Sequence, residues 1–121
     1  MLVKILEECG EIRAGDGSIL RELLHPAGDD ADIGYSLAHA TVPPGTRTLD
    51  HRMKGSEVYY ILSGTGLMHI HGEQKTVSAG SVVYIPPGAV QSIENTGNAD
   101  LTFLCIVEPA WTAEDEEVME G

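Results

Sequence analysis

Positive charge is what this sequence most lacks. Seven Lys and Arg stand against nineteen Asp and Glu, a formal net charge of −12 at pH 7. Such a surface repels phosphate backbones and anionic headgroups, so nucleic-acid and membrane-surface roles are not expected. Long apolar runs are also missing, which argues against a membrane-spanning helix. Residues 1–8 carry only a short apolar stretch, interrupted by acids, and do not read as a signal peptide. Cysteine is rare: Cys9 and Cys105 lie far apart and form no CxxC pair. A disulfide framework is therefore not expected, and a reducing cytoplasm is the expected location. No GxSxG, no phosphate-cradling glycine loop and no basic aromatic patch is present. Serine-hydrolase, nucleotide-binding and RNA-binding chemistry accordingly find no support.

What is present points to β-structure. The 121 residues, 42% of them hydrophobic, fit one domain (residues 1–121) with a real core. No stretch sustains a helical period. Short apolar runs recur instead at intervals of roughly ten residues between turn signals, the pattern of a sandwich or barrel. Strands are expected at 18–24, 35–42, 57–62, 66–71, 74–77, 82–85, 90–94 and 101–107. Pro43-Pro44-Gly45 and Pro86-Pro87-Gly88 break the chain, because proline cannot donate to a ladder. Gly72-Glu73 reads as a tight hairpin. At the end, Thr112 reads as an N-cap ahead of Glu114, Asp115, Glu116 and Glu117, so residues 112–121 are expected to be a short helix or acidic tail. Trp111, the only tryptophan, is expected to pin this segment to the body or to a second subunit.

The residues with chemical potential cluster near the middle. Glu57, Tyr59 and Ile61 share one strand face, because side chains alternate along a strand. A glutamate at the head of an apolar strand is costly to bury unless it is paired, hydrogen-bonded or metal-bound. His51 lies just upstream and can converge on it if the chain bends at Lys54-Gly55. One imidazole and one carboxylate make a plausible start for a divalent-metal site. His69 and His71 share a strand face, with Met68 and Ile70 expected to point inward. His25 has no evident role, and His39 could line a barrel.

Gly45, His51, Glu57 and Gly64 fall on the spacing of the first cupin motif, with Met53 at the position of its second histidine. Gly80, Pro86, Gly88 and Asn95 fall on the second motif, with Gln91 at the position of its histidine. Residues 45–64 and 80–95 thus resemble those of the small single-domain cupins. The resemblance implies an all-β, double-sheet jelly-roll barrel. It also implies a divalent metal held by three histidines and a glutamate, here reduced to His51, Glu57 and Gln91 as ligands. Mn, Fe, Ni, Zn and Cu are not distinguished, and a pocket that has lost its metal is the alternative. Met53, Tyr59 and Cys105 are expected at the pocket, with Cys105 sent inward from a late strand. Three functions remain open. One is a metal-dependent dioxygenase or isomerase acting on a small oxygenated or sugar-like molecule. The second is a metal-free binding or sensing module. The third is a metal-independent isomerase or epimerase with Glu57 or His51 as base. A small-molecule ligand and a homodimer are the expected partners.

Overall fold

The computed structural model describes residues 1–119. Eleven strands form two antiparallel sheets among the described residues. They are β1 (Glu11–Arg13), β2 (Ile19–Leu24), β3 (Ser36–Val42), β4 (His51–Met53), β5 (Ser56–Ser63) and β6 (Thr65–Ile70), followed by β7 (Glu73–Ser78), β8 (Val82–Ile85), β9 (Gln91–Asn95), β10 (Leu101–Glu108) and β11 (Glu116–Val118). One sheet runs β1-β2-β3-β10-β5-β8 and the other β11-β4-β9-β6-β7.

Alternation builds the core. On β5, Glu57, Tyr59 and Ile61 are buried while Tyr60 and Leu62 are exposed. On β10, which pairs along β5, Phe103 lies opposite Ile61 and Cys105 opposite Tyr59. The Tyr59 and Phe103 rings stack at a tilt, with centroids 4.5 Å apart. Ile61, Ile85 and Leu101 pack with Ile93 of the facing sheet, all essentially without exposure. This fills one end of the barrel with aliphatic side chains. The end holding Glu57 and His51 is instead hollow.

The motif residues that match have structural work. Gly64 turns β5 into β6 at φ +88°, and a Cβ there would sit 2.6 Å from the Asp100 carbonyl oxygen. Only glycine fits such a turn and approach. Asn95, 3% exposed, donates from Nδ2 to the carbonyls of Val42 and Ala99 and accepts at Oδ1 from the Gly97 amide. It thereby ties the end of β9 to β3 and to the turn that leads into β10.

Three sequence expectations change. The β6–β7 turn is His71-Gly72, with φ of 49° and 80°, which is the signature of a type I′ hairpin. His71 therefore leaves the strand and shares no face with His69. Met68 and Ile70 do point to the core. The acidic C-terminal segment forms a single 3-10 turn at Ala113–Asp115, with no capping bond from the Thr112 side chain, and then the strand β11. Pairing of β11 with β4 satisfies its backbone in place of a helix. Glu120 and Gly121, the end of the expected helix or tail, lie outside the described residues. His39 sits opposite Leu104 on the outer face of β3, away from the barrel interior.

Candidate functional site

A cavity of about 210 Å³ opens in the hollow end of the barrel. Its walls are largely apolar, with Leu20, Ala40 and Val107 among them, and its polar end is made by Asp16, His51, Glu57, Cys105 and Glu116.

Glu57 is the carboxyl most enclosed among these. It is 4% exposed and is gripped from both sheets. Gln91 on β9 donates from Nε2 to Glu57 Oε1 at 2.5 Å, and Cys105 on β10 donates from Sγ to Oε2 at 3.1 Å. Burial pushes the Glu57 carboxyl above its ordinary value, against opposing pulls from the Cys105 bond, the nearby His51 and the Gln91 bond. Burial likewise holds the Cys105 thiol and the Tyr59 phenol well up, so both stay protonated at neutral pH. Cys105 is thus a hydrogen-bond donor rather than a nucleophile.

His51 opens β4. Its Nδ1 lies 3.0 Å from the Leu49 carbonyl oxygen, which can only accept, so Nδ1 carries a hydrogen. Nε2 faces the cavity. It is 3.7 Å from Asp16 Oδ2, too long for a hydrogen bond, and has no other partner among the described residues. The side chain is 3% exposed.

Asp16 and Glu116 were not singled out by sequence. The Leu49 amide donates to the Asp16 carbonyl at 2.8 Å and so docks the 14–18 turn beside His51. Asp16 Oδ1 accepts from the Ser18 amide and hydroxyl, leaving Oδ2 turned to His51. Glu116 arrives on β11, opposite Met53, and burial raises its carboxyl while His51 opposes that shift. By sequence the acids at 114–117 read as a helix N-terminus, and residues 14–18 carry no signal of a site. Only the pairing of β11 with β4 brings the two segments together.

The remaining expected residues are placed as follows. Tyr59 and Cys105 line the cavity. Met53 is buried but lies outside its lining; it borders a surface cleft with Pro87, and its carbonyl accepts from the Gly88 amide. Gln91 is buried behind Glu57, and its Oε1 has no partner among the described residues. His69 stands apart, its Nε2 3.9 Å from Glu94 Oε1. His25 has a clear role: its Nε2 donates to the Trp111 carbonyl at 2.7 Å, while the Trp111 amide donates to Ser36 Oγ. These bonds pin the C-terminal segment at the cavity mouth.

Two antiparallel sheets closing on a cavity at one end define a double-sheet β-barrel of the jelly-roll class. The chain belongs to the cupin family, whose domain model matches residues 38–107. It is 47% identical over 106 residues to an uncharacterized protein of Methanocaldococcus jannaschii, covering 87% of this chain and 84% of that one. It is 36% identical over 104 residues to an oxalate-binding protein of Thermotoga maritima, with 84% of each chain covered. Among solved structures, a predicted oxalate decarboxylase of Thermotoga maritima superposes with a TM-score of 0.77 at 32% identity, covering 89% of this chain and 99% of that one.

The metal implied by the family does not fit these residues as they stand. Both oxygens of Glu57 are already taken by Gln91 and Cys105. Met53 offers only a soft thioether and is not part of the cavity lining. The uncommitted ligand atoms at the four ligand positions among the described residues are His51 Nε2 and Gln91 Oε1. No group of three or more His, Cys, Asp and Glu side chains suited to a metal ion occurs among the described residues. One imidazole and one amide are a poor match for a hard or borderline divalent ion.

Proposed function

We propose that this cupin binds a small molecule without a metal, using the cavity behind His51 and Glu57 as its pocket. The observation that carries the reading is the double capping of Glu57. A carboxylate that should be the anionic ligand is instead satisfied by the chain itself. The enclosed, mostly apolar cavity with convergent polar groups is what a ligand pocket requires. To test it, protein equilibrated with Mn(II), Fe(II), Ni(II), Zn(II) or Cu(II) and then desalted is assayed for metal. Well under one equivalent is expected, together with a raised Tm for some member of a sugar and metabolite panel. One equivalent of metal that disappears in both His51→Ala and Glu57→Ala overturns the reading.

The uncommitted Nε2 of His51 supports a second reading, a metal-independent isomerase or epimerase with His51 as the base. Glu57 suits that role less, since both its oxygens are bonded. Turnover that survives chelators but is lost in His51→Ala would select this reading.

A homodimer would form through the outer face of the six-stranded sheet. Tyr60, Leu62, Val82 and Tyr84 are 42%, 41%, 67% and 61% exposed there, and Tyr60 lies directly opposite Val82. Aromatic and aliphatic side chains grouped in this way suit a subunit interface. No helix is long and apolar enough to cross a membrane among the described residues. The two unbonded cysteines suit a reducing cytoplasm.

A further inference from the structure

We infer that the cavity takes a small organic cation, a primary ammonium carried on an apolar body. This rests on the reading of the cavity as a metal-free ligand pocket and names the class of ligand.

Charge is the first ground. Asp16, Glu57 and Glu116 converge on the polar end beside a single imidazole, and Glu22, itself exposed, adds a fourth carboxyl to the lining. Arg13 also borders the cavity, at an exposed position where its guanidinium donates to the neutral Gly17 carbonyl, so one cation stands against four carboxyls. With the chain at net −12, nothing distant offsets this excess. An oxalate-like dianion would meet like charge here with no metal to screen it.

Hydrogen-bonding capacity is the second ground. An ammonium group offers three donors. His51 Nε2, in a side chain 3% exposed, faces the cavity with no hydrogen bond made, and Asp16 Oδ2 lies 3.7 Å from it. A donor placed between the two atoms would serve both. Glu116 on the adjacent strand supplies a third acceptor.

The aromatic residues are the third ground. The chain has one Trp, one Phe and four Tyr, and its Trp, its Phe and Tyr59 all line this cavity. Acids and aromatics together are how proteins hold organic cations. The volume matches a monocyclic amine, since a cavity of about 150 Å³ already admits benzene.

Trp111 provides the readout, being the only tryptophan and part of the cavity lining. Its fluorescence is titrated with primary amines from butylamine to phenethylamine, and with the matched alcohols and carboxylates. At least one amine is expected to bind at least about tenfold tighter than its matched alcohol, and no carboxylate tighter than its amine. Asp16→Asn and Glu116→Gln should each weaken the amine about tenfold and leave the alcohol unchanged. The second variant lies on a terminal strand, and unchanged alcohol binding shows that each variant is folded. Alcohols or carboxylates binding as tightly as the amines would overturn the cation assignment and leave the small-molecule pocket standing. If no compound of any class perturbs Trp111, and none shifts Tm, both fall.

Discussion

Gln91 and Glu57 join the two sheets: Nε2 of the amide on β9 donates to Oε1 of the carboxyl on β5 at 2.5 Å, with both side chains buried. The bond sits where the family's late histidine and its glutamate would share a metal. An amide that donates to the carboxylate replaces a cation that would have drawn on it. Its own Oε1 is left without a partner among the described residues, a cost of about 1–3 kcal/mol.

This exchange should be reversible by substitution. Gln91→His removes the amide donor and restores an imidazole, and Met53→His restores the second one on β4, two residues from His51 on the same strand face. The double variant would present three imidazoles and free one oxygen of Glu57. Its Zn(II) affinity should rise by on the order of a hundredfold, about 2.7 kcal/mol, over the unaltered chain in a calorimetric titration. Equal and tight Zn(II) binding by both proteins would contradict the role of Gln91 as the group that stands in for the cation.

Stability should depend on pH through the buried carboxyls. Burial raises the folded-state values of Glu57 and Glu116 above those of the unfolded chain. Between the ordinary glutamate value and the raised one, the folded state holds protons that the unfolded state has released. The associated stability is complete below the ordinary value and is lost as pH rises through the raised one. Glu57→Gln should therefore flatten the fall in unfolding free energy with rising pH, measured by urea melts at a series of pH values. Because the overall acidity of the chain also acts as pH rises, the informative quantity is the difference between the two proteins. Parallel profiles would show that Glu57 does not titrate in this window.

The site was legible where chemistry and strand period coincide. Glu57, Tyr59 and Ile61 alternate inward as a strand demands, and Gly64 and Asn95 hold the turns that their spacing implies. Cys105 was placed at the pocket by the resemblance to small cupins rather than by its own strand, and its thiol reaches Glu57. Asp16 and Glu116 were invisible for a different reason. Each belongs to a short segment with no apolar period of its own. Each enters the cavity only because a distant three-residue strand, β4, gives β11 a partner and the His51 region docks the 14–18 turn. Such long-range pairing leaves no local signature. A run of acids reads as a helix start until a free edge accepts it as a strand.

Asn95 tests how far the second motif is structural. Its three hydrogen bonds reach the Val42 and Ala99 carbonyls and the Gly97 amide from a position 3% exposed. Asn95→Ala would leave the buried Val42 carbonyl without that donor and free the turn before β10. A loss of about 2–4 kcal/mol is expected from chemical denaturation. Ligand binding at the far end of the barrel should persist while the protein remains folded. A loss under about 0.5 kcal/mol, the range of ordinary surface changes, would mean that solvent replaces these bonds.

The outer sheet face yields the last prediction. Tyr60 and Leu62 on β5 and Val82 and Tyr84 on β8 are exposed although they lie on strands whose other faces build the core. A monomer gains nothing from placing these side chains in water, whereas a second copy would cover them and the free edge of β8 together. Substituting Val82→Lys with Tyr84→Glu puts a charge on each of two neighbouring outward positions without touching the core. Desolvating them in an interface costs more than the lost apolar contact alone. The unaltered chain should run as a dimer in light scattering coupled to gel filtration, and the double variant as a monomer with an unchanged far-ultraviolet circular dichroism spectrum. A dimer that survives both charges would place the interface elsewhere, and a monomeric parent would remove it.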